Sequence, residues 1–242
     1  MKPLRVVAAA AAGAALTLGG VAVWDSPVLD LRTVEVGGNT RVEARDVVVA
    51  SRLSDDDHLL RISTAGVASS VRESPWVSDA RVERILPSTV RITVVERSPA
   101  SVVPVGTASW FVDREGVVLE QVPAGTTAPS FEGDRLPVVA DLPVEAVLPG
   151  ERLAPPQYRQ ALTVLHSLPA AVRERVTVVR APTPDGFTLE LSDGPEILFG
   201  SAEALRDKVF AVRALMEKAA ADGLDLASID VRVPTRPAAR PR

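Results

Sequence analysis

The stretch SPWVSDARVERILPSTVRITVVERSP, residues 74–99, decides the fold of the amino-terminal half of the chain. Apolar and polar residues alternate through residues 76–85 and again through residues 89–96, which is the period of a half-buried β-strand. Leu86-Pro87-Ser88 separates the two runs, and proline is typical of a tight turn. The stretch therefore predicts two antiparallel strands joined by a short turn.

One strand and two helices are expected before this hairpin. VEVGGNT, residues 34–40, alternates like a strand and then breaks at two glycines and an asparagine. One of the glycines is expected to supply a positive φ, and Asn39 to bond neighbouring backbone groups. Thr40 and Glu43 have the spacing of a capping box for a first helix, and Ser63 is expected to cap a second. The predicted order is βααββ.

VEVGGNT and the hairpin together resemble the POTRA domain of the FtsQ/DivIB family of bacterial cell-division proteins. In that family a short cytoplasmic tail and a membrane helix precede the POTRA domain, and a β-rich domain follows it. The resemblance implies that the motif residues are mainly architectural and that Trp76 is a core side chain. The motif residues are Val36, Gly38, Asn39, Trp76 and Pro87.

The rest of the chain predicts a β-rich domain with packed helices. Residues 109–122 and 187–200 each contain two strand patterns around a turn, and residues 205–216 have helical spacing. Their order resembles the second domain of the same family. The expected fold class is α+β, with a POTRA domain at 29–97, a β-domain at 98–234 and a disordered, basic, proline-rich tail at 235–242.

Residues 6–24 form a run without a charged side chain. As a helix with a rise of about 1.5 Å per residue, the run would span roughly 28 Å, which is close to the thickness of a bilayer core. Lys2 and Arg5 precede it, so residues 1–5 are expected to stay in the cytoplasm as a short tail. A cleaved signal peptide is the competing interpretation, because Gly20-Val21-Ala22 resembles a cleavage site. The length of the run favours a retained transmembrane helix, and both interpretations export the rest of the chain.

Composition argues against several functional classes. The chain has no cysteine and two histidines, so thiolate chemistry is excluded and little remains for a metal site. Its formal net charge is −4, and setting aside the two basic residues before the apolar run and the three arginines of the tail leaves −9, which argues against a general nucleic-acid binder. SDDDH, residues 54–58, is the best catalytic candidate, but it lacks the spacing of a calcium loop and no hydrolase motif accompanies it. We expect a protein that is not an enzyme, without a cofactor, metal or small-molecule substrate.

The resemblance implies a scaffold of the division machinery, the divisome. Such a protein is anchored in the cell membrane at the septum and binds FtsB-like and FtsL-like single-pass proteins outside the cytoplasm. Two alternatives stay open: an exported POTRA-type module of a secretion or assembly system, and an exported hydrolase with an unrecognised site.

The partner is expected to bind at SIDVRVP, residues 228–234, the final regular segment of the sequence. A last strand is expected to lie at the edge of its sheet with unpaired main-chain groups. The resemblance implies that FtsB adds a strand there, and Arg232 would then hold an acidic residue of the partner. The alternative is an internal strand whose edge is capped by the tail. The expected partner-binding residues are Ser228, Ile229, Asp230, Val231, Arg232, Val233 and Pro234.

The predicted membrane topology can be tested with a reporter fused after Pro234. We expect the fusion to be exported and to fractionate with the membrane, because the apolar run is long enough for a bilayer and basic at its amino end only. Release of a soluble product that begins near Val23 would instead identify a cleaved signal peptide.

Overall fold

The computed structural model describes residues 26–126 and 129–242. The chain divides into two compact units, the first ending at Arg97 and the second beginning at Ser98. The predicted cytoplasmic tail and membrane helix, residues 1–24, lie outside the described residues. In the two described ranges, no helix is both long and apolar enough to cross a membrane.

The first unit has the predicted βααββ order. Its sheet has the strand order β1-β3-β2, with β1 parallel and β2 antiparallel to the central strand β3. A 3-10 turn at Pro27–Leu29 precedes the sheet. The elements are β1 (Thr33–Gly37), α1 (Ala44–Ser51), α2 (Thr64–Val71), β2 (Val77–Ile85) and β3 (Thr89–Glu96).

The core of the first unit lies between the two helices and the sheet. Val90, Ile92 and Val94 occupy alternate positions of β3 and are buried, as the period of two requires. Ser63 caps α2 as predicted, because its hydroxyl accepts the Gly66 N–H at 3.1 Å. Trp76 departs from the prediction of a core side chain. The residue stands just before β2 and is half-buried, and the guanidinium of Arg41 lies 4.2 Å from the ring centroid.

The corner after β1 depends on Gly38. Its φ is +79°, and a Cβ there would collide with the carbonyl oxygen of Val94 on the central strand. A Cβ at the neighbouring Gly37 would meet nothing within 4 Å. The positive φ expected at one of the two glycines therefore belongs to Gly38. Asn39 completes the corner by donating its side-chain amide to the Val42 carbonyl at 2.9 Å, as the sequence predicts.

The predicted capping box at Thr40 is wrong. Helix α1 begins at Ala44, and Glu43 stands at its N-cap position without a side-chain hydrogen bond to the helix. The N–H groups of residues 40–42 instead donate to the carboxylate of Glu96, at 2.8 Å for Thr40, 3.0 Å for Arg41 and 2.8 Å for Val42. A side chain at the end of β3 therefore holds the corner that follows β1.

The pKa of Glu96 lies below its usual value of 4.5. Partial burial raises the pKa, but the three backbone N–H donors and the positive charge of Arg41 together outweigh that effect. The folded first unit therefore prefers the ionised carboxylate.

The second unit is dominated by a nine-stranded sheet with the order β14-β13-β12-β11-β10-β9-β4-β5-β6. A separate two-stranded sheet pairs β7 with β8. The strands are β4 (Pro99–Val105), β5 (Ala108–Asp113), β6 (Val118–Gln121), β7 (Ser130–Phe131), β8 (Asp134–Arg135), β9 (Val138–Ala140), β10 (Val176–Arg180), β11 (Phe187–Leu191), β12 (Glu196–Gly200), β13 (Leu226–Asp230) and β14 (Ala238–Pro241). The helices are α3 (Gln157–Ser167), α4 (Ala170–Arg173) and α5 (Leu205–Asp222).

Helices α3 and α5 contact each other and cover part of the large sheet, with α3 next to β10 and α5 next to β13. Phe187, Ile197, Phe199 and Ile229 are fully buried in the core that results. Strand β13 is therefore tied to the core by its own side chains. The α+β fold predicted for this half of the chain, a β-rich domain with packed helices, is confirmed.

The carboxy-terminal tail differs from the prediction. Residues 235–242 were expected to be disordered, but Ala238–Pro241 forms β14 and pairs antiparallel with β13. Strand pairing uses main-chain groups, and the alanine, arginine and proline side chains of the tail carry no apolar alternation that could indicate it.

Replacing Gly38 with alanine tests the corner. We expect Gly38→Ala to lower the free energy of unfolding of the first unit by about 2–4 kcal/mol, because a left-handed backbone and a collision with a main-chain carbonyl combine. Denaturant unfolding measures the loss. Gly37→Ala is the matched control and should change stability by less than about 1 kcal/mol. Equal effects of the two substitutions would contradict the assigned role of Gly38.

Replacing Glu96 with glutamine tests the contact between β3 and the corner. We expect Glu96→Gln to cost about 1–2 kcal/mol at pH 7, a charge-assisted hydrogen-bond contribution discounted for solvent screening. Since the folded-state pKa is lowered, this stability is present above the unfolded-state pKa near 4.5 and is lost as the pH falls through the folded-state value. The difference between the two proteins should therefore shrink below pH 4.5.

Glu35→Gln is the control for Glu96→Gln. Glu35 lies on β1 and forms an exposed ion pair with Arg91, at 2.8 Å between Oε2 and Nη2. Such exposed pairs contribute roughly 0–1 kcal/mol. A loss at Glu35 as large as the loss at Glu96, or a Glu96 effect that does not depend on pH, would contradict the role given to Glu96.

Candidate partner-binding edge of the sheet

One edge of the nine-stranded sheet is covered by a loop of the same unit. The N–H of Val118 on β6 donates to the Glu151 carbonyl, and its carbonyl accepts the N–H of Gly150, both at 2.8 Å. Val117 and Arg152 form an isolated β-bridge beside them. The outer main-chain groups of Val118, the first residue of β6, are thus engaged, which leaves less of this edge available for further pairing.

The opposite edge is formed by β14. In the part of the chain that the structure describes, no strand pairs with the outer side of β14. All four residues of the strand, Ala238–Pro241, are exposed to solvent. This edge is therefore the open end of the sheet.

The prediction that SIDVRVP forms the edge strand is wrong. Strand β13 spans Leu226–Asp230 and lies between β12, to which it is parallel, and β14, to which it is antiparallel. The alternative interpretation, an internal strand capped by the tail, is the arrangement observed. The sequence could not reveal this because the residues of β14 do not alternate between apolar and polar.

The main-chain groups of β13 alternate between its two neighbours. Just past the strand, the Val231 N–H donates to the Leu198 carbonyl on β12 at 3.0 Å. Because successive residues of a strand point their N–H and C=O groups to opposite sides, Ile229 also faces β12. Ser228 and Asp230 face β14. These two residues carry the main-chain groups that the tail covers.

The last predicted site residues lie beyond β13. Val231 is fully buried, whereas Val233 is 56% exposed, so burial does not continue to the end of the predicted segment. Pro234 belongs to the connection between β13 and β14, where the Arg236 N–H donates to the Val233 carbonyl at 3.0 Å. The chain turns here and does not continue as a strand.

Arg232 is engaged within its own unit. Its Nη2 lies 2.6 Å from Oδ2 of Asp230, and the side chain is 62% exposed. This hydrogen bond holds the pKa of the Asp230 carboxyl below its usual value. A Cβ at Gly200 would lie 3.0 Å from Cγ of Arg232, so the arginine stem passes closely over that glycine. An acidic partner residue would have to compete with Asp230 for this guanidinium.

The tail is held at its end by Arg242. Its N–H donates to the Asp225 carbonyl at 3.0 Å, its Nη1 to Asp225 Oδ2 at 3.1 Å and its Nη2 to the Gly194 carbonyl at 3.2 Å. The side-chain contacts are exposed, and exposed ion pairs stabilise little.

A groove of about 410 Å³ runs between α5 and the connection that leads to β14. Phe210 of α5 lines it and is 73% exposed, which is unusual for a phenylalanine. Pro234 and Pro237 form the opposite wall. The groove therefore adjoins the open edge of the sheet.

The other candidate residues are architectural. Gly38 and Asn39 shape the corner, Pro87 lies in the turn between β2 and β3, and Val36 packs against the first core. Residues 54–58 form a turn in which the Ser54 N–H donates to Oδ2 of Asp57 at 2.8 Å. Over residues 26–126 and 129–242, no group of three or more histidine, cysteine or acidic side chains could hold a metal ion.

Both units match known protein families. Residues 29–97 match the POTRA domain, FtsQ-type, and residues 102–232 match the C-terminal domain of cell division protein FtsQ/DivIB. Cell division protein FtsQ of Corynebacterium glutamicum is 28% identical over 199 residues, which cover 82% of this chain and 84% of that protein. The FtsQ protein of Mycobacteroides abscessus is 31% identical over 202 residues, covering 84% of this chain but only 60% of the relative.

Two further proteins that align with this chain also have the names FtsQ and DivIB. The FtsQ protein of Anaeromyxobacter sp. (strain K) is 28% identical over 221 residues, which cover 90% of this chain and 72% of that protein. The solved extracytoplasmic domain of the cell division protein DivIB from Geobacillus stearothermophilus aligns at 21% identity with a TM-score of 0.33, covering 53% of this chain and 96% of that domain. Because the second family match alone spans more than half of the sequence, the chain belongs to the FtsQ/DivIB family of cell-division proteins.

Proposed function

We propose that this divisome protein is a non-catalytic scaffold that links membrane division proteins outside the cytoplasm. Residues 6–24 anchor it in the cell membrane as a single-pass helix, with residues 1–5 in the cytoplasm and both units outside, at the septum. Its partners are FtsB-like and FtsL-like single-pass proteins. They dock through main-chain pairing at the carboxy-terminal edge of the second unit.

One observation carries this proposal: the two edges of the nine-stranded sheet differ in what lies beside them. A loop bonds the main chain of Val118 at the start of β6, whereas the β13–β14 end adjoins solvent and an apolar groove. An accessible edge offers a row of main-chain donors and acceptors to an extended peptide. Side chains at alternate positions of that peptide then supply selectivity.

The charges near this edge favour an acidic partner segment. Four arginines lie in residues 232–242, at positions 232, 236, 240 and 242. The nearby acids Asp225 and Asp230 are paired with Arg242 and Arg232. A partner with acidic residues beside its strand would meet a basic rim, which speeds association and favours one class of partner over others.

The two alternative functions have less support. The family match of the second unit favours neither a secretion module nor a hydrolase. Capture experiments distinguish a division scaffold from a secretion module or a hydrolase. The full-length chain in membranes should retain FtsB-like and FtsL-like proteins from the same organism. If it retains neither of them, this scaffold role is wrong.

Reversing the charge at Arg232 tests where the partner docks. We expect Arg232→Glu to weaken binding of an FtsB-like segment severalfold, mainly by slowing association, because a 62%-exposed arginine acts as a rim charge. Association and dissociation rates of the full-length chain at low and high salt measure the effect, which should decline as salt increases.

Arg152→Glu is the matched control. Arg152 is 54% exposed and paired with Glu115, but it lies beside β6 at the opposite edge of the sheet. It should change binding by less than twofold. Equal weakening by the two variants would indicate a general charge effect, and unchanged binding by a folded Arg232→Glu protein would move the docking site away from this edge.

A further inference from the structure

We infer that β14 is a displaceable strand: it occupies the outer side of β13 in the free chain, and a partner segment binds by taking its place. The inference rests on the proposed function, which assigns the partner to this end of the sheet but not to one side of β14. It makes residues 238–241 of the chain a competitor of its partner.

The first argument is that β14 contributes nothing to the apolar core. Leu226 and Ile229 of β13 are buried among the core residues of the second unit. All four residues of β14 are exposed. Removing β14 therefore uncovers main-chain groups and no large apolar surface, so the rest of the sheet keeps its main source of stability.

The second argument is that β14 is a poor strand. Alanine and proline are depleted from strands, and proline cannot donate to the ladder. Pro241 stands opposite Leu226, and the register shifts between Leu226 and Ser228. A partner segment with β-branched residues and every N–H available could pair with β13 over the same length more favourably.

The third argument concerns the connection to β14. The Val231 N–H is bonded to Leu198 of β12, so the chain is anchored up to this residue whether or not the tail is paired. Beyond it, Arg232, Val233 and residues 235–237 are exposed. This segment can swing away without breaking the pairing of β12 with β13.

Displacement would also enlarge the apolar surface next to β13. Pro234, Thr235 and Pro237 form one wall of the groove that contains Phe210. A partner that carries an apolar residue beyond its strand could contact Phe210 once the connection has moved. The structure thus points to an extended, partly acidic segment with β-branched residues and one flanking apolar anchor.

A self-capping strand lowers the apparent affinity for the partner. If the outer side of β13 is free for only a fraction of the time, the apparent dissociation constant rises by the inverse of that fraction. Loss of the tail should therefore tighten binding without any new contact.

The first test removes the tail. A chain truncated after Thr235 and otherwise unchanged should bind an FtsB-like peptide at least about fivefold more tightly than the intact chain. The truncation also removes Arg236, Arg240 and Arg242, which would by itself weaken binding of an acidic peptide. A gain in affinity could therefore not come from charge. Unchanged or weaker binding by the truncated chain would overturn the inference.

The second test locks the tail in place. Ser228 and Arg240 are directly opposite in the register, within the Cα separation of a disulfide, and the chain has no other cysteine. The double variant Ser228→Cys with Arg240→Cys should lose peptide binding when oxidised and regain it when reduced. Equal binding in both redox states would place the partner on another surface, such as the outer side of β14, and would leave the proposed function standing.

Hydrogen exchange of the free chain tests the displaceable strand without a partner. The amides of Ser228 and Asp230 face β14, whereas those of Ile229 and Val231 face β12. We expect the first pair to exchange at least about tenfold faster than the second, because β14 opens without global unfolding. Equal protection of both pairs would overturn the inference. Absence of peptide binding by every form, with this exchange pattern present, would count against the proposed function alone.

Discussion

The main-chain groups of Ser228 and Asp230 that point away from β12 determine how the second unit can act. A strand edge leaves such groups to water, to a strand of the same chain or to a partner. Here β14 pairs with them. Leu226 and Ile229 of β13 are buried in the same core as Ile197 and Phe199 of β12, so this strand is a firm support for whichever segment occupies its outer side. A firm strand beside a loosely held one is what an exchange of strands requires.

Main-chain groups at other edges and corners of the fold are bonded in other ways. At the opposite edge of the large sheet, residues 150–153 bond the main chain of Gly116 and of Val118, the first residue of β6. In the first unit, the carboxylate of Glu96 gathers three N–H groups of the corner after β1, and Gly38 lets that corner pass close to the central strand. The β14 end, in contrast, combines exposed residues, an adjoining apolar groove and four arginines within residues 232–242.

Much of the fold could be predicted because its signals are local. Residues 76–96 alternate with a period of two around a proline turn, and Ser63 and Asn39 act through neighbouring backbone groups, so each prediction held. The role of Glu96 was not predicted, because the N–H groups that donate to its carboxylate lie more than fifty residues away in the sequence. Trp76 was predicted to be buried from its position in a motif, which does not specify how a ring before the first strand residue packs.

The candidate site was harder to predict than the fold. Ser228–Asp230 lie on a strand as predicted, and Ile229 is buried there, but that strand spans Leu226–Asp230 and ends before Pro234. Its place in the sheet was wrong, because residues 238–241 pair through main-chain groups and their side chains carry no strand pattern. Arg232 was expected to be available to a partner, but Asp230 two residues earlier already binds it.

Depletion of the protein in its source organism, with imaging of septa, tests the central claim most directly. If the chain links division proteins at the septum, cells without it should continue to elongate and fail to form septa, while protein secretion stays normal. Expression of the full-length chain should restore septation. Normal septation in depleted cells, accompanied by a secretion defect, would contradict the claim and favour an exported module of a secretion system.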